Sequence, residues 1–264
     1  LIVKIDNLLE KSFWEYVSYE EIINLFIIGY VENYGFNNKF QSVWLQLEDN
    51  DITSVILKRH SKLTIYSYKN DFDIDELICH IEGLNVSIID GKKSVIDRLL
   101  ERYDSLKYKK ERSFCTLKEA RNIEFGDISK YKIKRASAKD IESIYIFLGG
   151  LGRSMGLKSI EEKKLELEDG KIRVYFIEEE GKIITTVSTG IETSFLAELV
   201  DLGFCDNEKG VKLSKYLVYI LSKELIDEGK RPCVFYDGMD YKEIYDCVGY
   251  KKESDWITLS RYNK

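Results

Sequence analysis

Apolar and polar residues alternate over 42–48 (SVWLQLE), 52–59 (ITSVILKR) and 62–68 (KLTIYSY), the period of half-buried strands. Asp49-Asn50-Asp51 separates the first two and predicts a hairpin. Before them, 4–21 carries a weak helical pattern. The apolar run 22–31 (IINLFIIGYV) fits either a short helix or a buried strand. After them the pattern predicts a helix over 73–83 with Asp73 as N-cap, a strand at 85–89, a helix over 92–103 and a strand at 111–116.

At 131 the rhythm restarts. YKIKRAS reads as a strand, and 138–148 as a helix with Ser137 as a candidate cap and Asp140 in its first turn. A glycine-rich loop at 149–156 (GGLGRSMG) precedes a charged helix over 158–168. Strands at 172–179 and 182–189 form a hairpin around Glu180-Gly181, and a further strand covers 195–204. Leu213, Leu217, Ile220, Leu221 and Leu225 then fall at helical spacing, and that helix stops before Gly229. A strand at 232–236, a short helix at 240–247 and a strand at 256–261 complete the chain. The two halves share one outline of strands, helix, strand, helix. The expected domains are therefore 1–128 and 129–264, in an α/β (α+β) fold class.

Composition narrows the classes. The chain is 44% hydrophobic and 12% aromatic, enough for a sizeable core. Its formal net charge of −6 is opposite to that of a general nucleic-acid binder, so no nucleic acid is expected as partner. Five scattered cysteines without CxxC pairs point away from a disulfide framework and a thiolate zinc site, and no metal is expected. No apolar run reaches membrane-spanning length, and the start LIVKIDNLLEK is too soon charged for a signal peptide. These features predict a cytoplasmic protein without membrane contact.

Two motif matches lack their required context. Gly152-Arg153-Ser154-Met155-Gly156 fits G-x-S-x-G, but both histidines, His60 and His80, precede Ser154, whereas that triad places its histidine later. Gly91-Lys92-Lys93-Ser94 follows a strand and opens a helix, but Lys93 displaces the serine of a P-loop and Val86 stands where its first glycine belongs. His60 and His80 have no metal-ligand spacing.

The stretch 195–250 is different. A strand (Ala197 to Phe204) leads through CDNEKGVK into an amphipathic helix and then a second strand (Cys233 to Tyr236). That strand–helix–strand unit predicts parallel strands, with the loop at the carboxyl end of the first, where α/β sheets collect ligands. Unpaired amides at the helix start, flanked by Lys209 and Lys212, make an expected phosphate seat.

Over 131–261 the sequence resembles the GNAT superfamily of acyl-CoA-dependent N-acetyltransferases. GKRPCVFYDGMDYKEIYDCVGYKK is similar to the family's closing segment, with Ile244-Tyr245 and Gly249-Tyr250 at its I-Y and Gly-Phe positions. EEEGKIITTVSTGIET is similar to the family's middle strands. The family's pyrophosphate loop, [QR]-x-x-G-x-[GA], falls on Lys209, Gly210, Val211, Lys212, Leu213 and Ser214; Lys212 replaces a glycine and Ser214 the small residue. Gly238 and Tyr241 stand where the family commonly has Asn and a small residue. The first 128 residues resemble a degenerate N-terminal copy, as in tandem-GNAT proteins. The resemblance implies two domains, each a mixed, mostly antiparallel sheet flanked by helices.

It also implies chemistry: direct acetyl transfer from acetyl-CoA, as co-substrate, to a primary amine of a small molecule, with no covalent intermediate. A carboxylate must take the amine's proton, and Glu198 and Glu192 are the candidates. Backbone N–H groups around Leu202, Gly203 and Phe204 are the expected oxyanion donors. Tyr245 matches the family's tyrosine acid. A non-catalytic CoA-binding or regulatory protein, or an interaction scaffold, is the alternative; either a monomer or a homodimer is compatible.

Overall fold

Tight turns set the strand pairing. Asp49 and Asn50 take φ of 50° and 72°, and Glu180 and Gly181 take 51° and 76°, the left-handed pair that matches hairpin twist. In the computed structural model, which describes residues 1–128, 130–152 and 159–261, both hairpins form as the sequence predicts. The GxSxG serine, Ser154, lies outside the described residues.

The elements run β1 (Ile2–Lys4), α1 (Glu10–Ser18), α2 (Leu25–Tyr34), β2 (Gln41–Glu48), β3 (Asp51–Arg59), β4 (Lys62–Tyr66), α3 (Ile74–Glu82), β5 (Ile88–Lys92), α4 (Lys93–Leu100) and β6 (Tyr108–Thr116). They continue with β7 (Ile133–Arg135), α5 (Ile141–Gly150), α6 (Ile160–Glu168), β8 (Val174–Glu179), β9 (Lys182–Glu192), β10 (Leu196–Phe204), α7 (Glu208–Asp227), β11 (Arg231–Tyr236), α8 (Met239–Val248) and β12 (Lys251–Ser260). Among the described residues, no helix is long and apolar enough to cross a membrane.

The chain divides into two compact units, Leu1–Ser113 with Ser254–Lys264, and Phe114–Glu253. The division falls earlier than the expected boundary at 128, and the closing strand from Ser254 onward goes with the first unit. The reason is visible in the pairing: Trp256 to Ser260 of β12 register antiparallel with Lys92 to Ile88 of β5. The apolar pattern at 256–261 announces a strand but not its partner.

In the first unit β1, β2, β3 and β4 pair antiparallel in order, and β4 pairs with β5 in parallel. The core gathers Leu63, Ile65, Leu77, Ile89, Ile96, Leu99, Ile257 and Leu259. Asp73 caps α3 by accepting from the Glu76 amide, as predicted. The parallel pair stays closed to Ile65 opposite Gly91, one residue from the end of each strand. A Cβ on Gly91 would sit 2.5 Å from the Ile65 carbonyl oxygen. That glycine serves close strand contact and not a P-loop.

In the second unit β7, β8, β9 and β10 pair antiparallel, and β10 pairs with β11 in parallel. Helix α7 buries Leu213, Leu217, Val218, Leu221 and Leu225 against one face, in a core shared with Ala197, Leu199, Leu202, Phe204 and Tyr245. Helix α5 packs on the other face, where Leu148 and Phe147 approach Gly203.

Candidate active site

The two parallel pairs end differently. The β10–β11 pairing stops at Leu199 opposite Val234, yet β10 runs on to Phe204 and β11 to Tyr236. The cause lies in β10 itself. Its register with β9 slips between Val200 and Gly203, a bulge in which Asp201 holds a φ of 54°. A bulge bends and twists its strand, and here it turns the carboxyl half of β10 away from β11. Lys163 of α6 holds the bulge by an ion pair to the Asp201 carboxylate; both side chains are largely buried. A non-glycine residue at positive φ is strained, and this charge-assisted bond offsets the cost. Nothing in the charged pattern of α6 distinguishes Lys163 from its exposed neighbours, so neither partner was legible in the sequence.

Beyond Phe204 the chain turns into α7. The helix starts at Glu208, five residues before the apolar pattern begins. Its cap is Asn207, whose side-chain oxygen accepts from the Gly210 amide at 2.7 Å. The Val211 amide bonds to the Asn207 carbonyl at 3.0 Å. An Asx residue ahead of a helical run is a recognised start signal, and it was the signal missed here. Gly210 has its own steric reason: a Cβ there would overlap the Cys205 carbonyl oxygen.

The six residues of the predicted phosphate loop divide by face. Gly210, Leu213 and Ser214 are buried, and the Ser214 hydroxyl bonds to the Gly210 carbonyl at 2.7 Å and lies 3.0 Å from the Thr185 hydroxyl. Lys209 and Lys212 are exposed and Val211 is half-buried. Lys212 lies within α7 with no left-handed φ, so its replacement of a glycine carries no backbone strain. Lys209 pairs with Glu179 of β8, and that bond raises the lysine's pKa and lowers the glutamate's.

The catalytic candidates separate. Glu192 closes β9 opposite Ala197, at the amino-terminal end of β10, whereas the strands part at its carboxyl end. Its carboxylate is clamped by Arg173 at 3.1 Å and Lys230 at 2.6 Å and accepts from Thr189 at 2.8 Å. Burial alone would raise its pKa, but these bonds from Lys230, Thr189 and Arg173 hold it below the ordinary value. A carboxylate so committed is a poor acceptor for a proton from an amine, which argues against Glu192 as the base. Arg173 also bonds Glu224 and Glu228, so this is a structural charge cluster.

Glu198 is different. It sits one position before the last β10–β11 pair, half-buried. Its carboxylate lies over β9 at Gly190, where a Cβ would come within 2.7 Å of Oε2. By strand alternation it faces away from Ala197 and Leu199. Tyr245 lies on the α7 side, 2% exposed, its ring stacked on Tyr236 at 5.4 Å and edge-on to Tyr250 at 5.3 Å. Glu198 and Tyr245 thus flank the parting strands from opposite faces of the sheet. Leu202 and Phe204 belong to the α7-side core, and Gly203 and Phe204 remain in register with Thr186 and Thr185 of β9. One residue unremarked as chemistry in the sequence reaches the same place. The Tyr241 hydroxyl of α8 points to the Leu202 carbonyl at 3.4 Å, with its ring edge-on to Phe204.

No family model matches this chain, and no curated protein matches it. Solved structures do. An X-ray structure of a Drosophila protein aligns with TM-score 0.69 at 12% identity, covering 99% of each chain. A GCN5-related N-acetyltransferase from Sphaerobacter thermophilus aligns with TM-score 0.67 at 10% identity, over 98% of this chain and 94% of that one. A tandem GNAT protein from the clavulanic acid biosynthesis pathway aligns with TM-score 0.55 at 9% identity, over 100% and 99%. The chain has the GNAT fold. Its mixed, mostly antiparallel strands flanked by helices are those expected of the tandem arrangement.

Proposed function

We propose that this protein is an N-acyltransferase of the GNAT type, moving an acetyl group from acetyl-CoA to a primary amine of a small molecule. The observation that carries this reading is the parting of β10 from β11 after Leu199 and Val234, which leaves the main chain from Val200 to Phe204 beyond the β10–β11 ladder. In the transfer, the amine nitrogen attacks the thioester carbonyl. A C–N bond forms, the C–S bond breaks, and the sulfur leaves as thiolate. Main-chain N–H groups at Leu202 to Phe204 are the proposed donors to the oxyanion. Glu198 is the proposed base, drawing the amine's proton off directly or through water, and Tyr245 the proposed acid that protonates the thiolate. The acyl carrier would lay its phosphates toward the start of α7, where Lys209 and Lys212 stand exposed.

A second reading, a non-catalytic CoA-binding protein, draws on the burial of Tyr245, only 2% exposed, which withholds the proposed acid from a departing thiolate. The unit formed by Leu1–Ser113 and Ser254–Lys264, whose parallel pair stays closed, is proposed as the degenerate copy. Calorimetric titration with acetyl-CoA, followed by thiol release across a panel of amines, tests both readings. Binding with amine-dependent thiol release is the expected result. Binding without release leaves the second reading, and no heat at millimolar acetyl-CoA removes both.

A further inference from the structure

Strand β9 carries one residue more than β10 where the two pass Glu198. Glu192 registers with Ala197 and Thr189 with Leu199, so Gly190 and Ile191 together oppose the single residue Glu198. Two residues against one make a β-bulge, and bulges beside functional sites re-aim a side chain. This bulge is separate from the slip between Val200 and Gly203. Its glycine has no backbone reason. The φ of Gly190 lies outside the left-handed region, and a glycine inside a strand loses entropy on folding and packs nothing. The space above it supplies the reason. A Cβ on Gly190 would stand 2.7 Å from Glu198 Oε2 and 2.9 Å from Val200 Cγ1. Glu198 and Val200 share one face of β10 by alternation, and their ends meet over the bare glycine.

We propose that Gly190 is a positioning residue for the transfer: the bulge at Gly190 and Ile191 aims Glu198, and the missing side chain is the seat of its carboxylate. This rests on the reading of Glu198 as base. A methyl group at position 190 and the carboxylate in its present place exclude one another. What gives way is the end of a flexible side chain, so the carboxylate moves while the sheet holds. A proton acceptor displaced by about 1 Å loses its alignment with the amine, and a misplacement of that size costs up to roughly 10²-fold in rate. Gly190 touches no reacting atom in this scheme and acts only through Glu198.

The test is a cycle of wild type, Gly190→Ala, Glu198→Gln and the double variant. Each is measured for amine-dependent thiol release, for acetyl-CoA binding by calorimetry and for its urea midpoint. Gly190→Ala is expected to lower kcat roughly 10- to 100-fold, with acetyl-CoA affinity and urea midpoint little changed. Glu198→Gln is expected to lower kcat by roughly 10²-fold or more. Glutamine has the shape of glutamate, so the methyl group crowds both alike; a residue that acts through the carboxylate then adds no further loss in the double variant. If Gly190→Ala does not fold, Val200→Ala clears the second contact, and the same cycle is run in that background. Three results overturn the positioning role while leaving Glu198 as base: full activity in Gly190→Ala, an equal loss from the methyl group in both backgrounds, or a loss that only follows the urea midpoint. Undiminished release in Glu198→Gln overturns the base and the role of Gly190 together. Absence of amine-dependent release in the wild type overturns both along with the proposed function.

Discussion

At the scale of single residues, the structure separates carboxylates that sequence could only nominate. Glu192 and Glu198 both lie near β10, and both looked like bases; Glu192 stands opposite Ala197 with Arg173 and Lys230 on its carboxylate, whereas Glu198 stands next to the last β10–β11 pair. Glu192→Gln leaves Arg173 short of a largely buried partner, and breaking such a pair costs about 3 kcal/mol. The expected outcome in urea melts is a loss of that order, with amine-dependent thiol release retained wherever the protein is folded. A pH dependence follows as well. Glu192 is held below its ordinary pKa, so its stabilisation is present above the unfolded value of about 4.3 and fades as pH falls through the folded value. Stability of the wild type should therefore drop on acidification below about pH 4.3 more steeply than that of Glu192→Gln, as read from melts at stepped pH. Tyr245→Phe should behave oppositely. Packing against Tyr236 and Tyr250 is retained, so stability changes little, while turnover falls by roughly 10²-fold or more if the hydroxyl is the acid; unchanged turnover would remove that role. Tyr245 could be nominated because its register with Gly249-Tyr250 is a pattern in one dimension. Asp201 and Lys163 were not, since 38 positions separate the pair and neither has a neighbour that marks it.

Elements were easier to read than sites, because period survives without tertiary information. Both hairpins, the Asp73 cap and the parallel β10–β11 crossover pair follow from local pattern and are present. The start of α7 was misplaced for a physical reason. The apolar stripe begins at Leu213, but the helix is nucleated five residues earlier by Asn207 and by the close approach that Gly210 permits. Lysines beside a glycine suggested a phosphate cradle, whereas the glycine's first duty is to clear the Cys205 carbonyl. Gly210→Ala is expected to push the first turn of α7 off that carbonyl, costing about 1–3 kcal/mol as overpacking does, and to weaken acetyl-CoA binding along with stability. Asn207→Ala removes the cap without adding bulk. Its expected cost is about 1 kcal/mol, read as a shift in urea midpoint, with the helix start left in place. A glycine substitution no more harmful than the cap deletion would show that the close approach carries no weight.

On the scale of the whole chain, the closing strand changes what counts as a domain. A linear reading assigns 256–261 to the second half, yet β12 from Trp256 onward pairs with β5, and Ile257 and Leu259 are fully buried in the first unit's core. The unit that begins at Leu1 is therefore incomplete until residues 256–260 are made. Removing the chain after Glu253 strips Trp256, Ile257 and Leu259 from their burial. At about 1.5–3 kcal/mol for each large apolar side chain, the loss is on the order of 5–9 kcal/mol, within the whole net stability of an ordinary domain, about 5–15 kcal/mol. It also leaves β5 with an open edge, a template for aggregation. Limited proteolysis of the truncated chain should then cut within Leu1–Ser113 while Phe114–Glu253, which retains α7 and both strands of the opening, stays protected. If the shortened chain resisted protease throughout, the contribution of β12 to the first unit would be far smaller than its burial implies. If cleavage fell first in the second unit, the strands at the proposed site would depend on the closing segment, and loss of acetyl-CoA binding would accompany it.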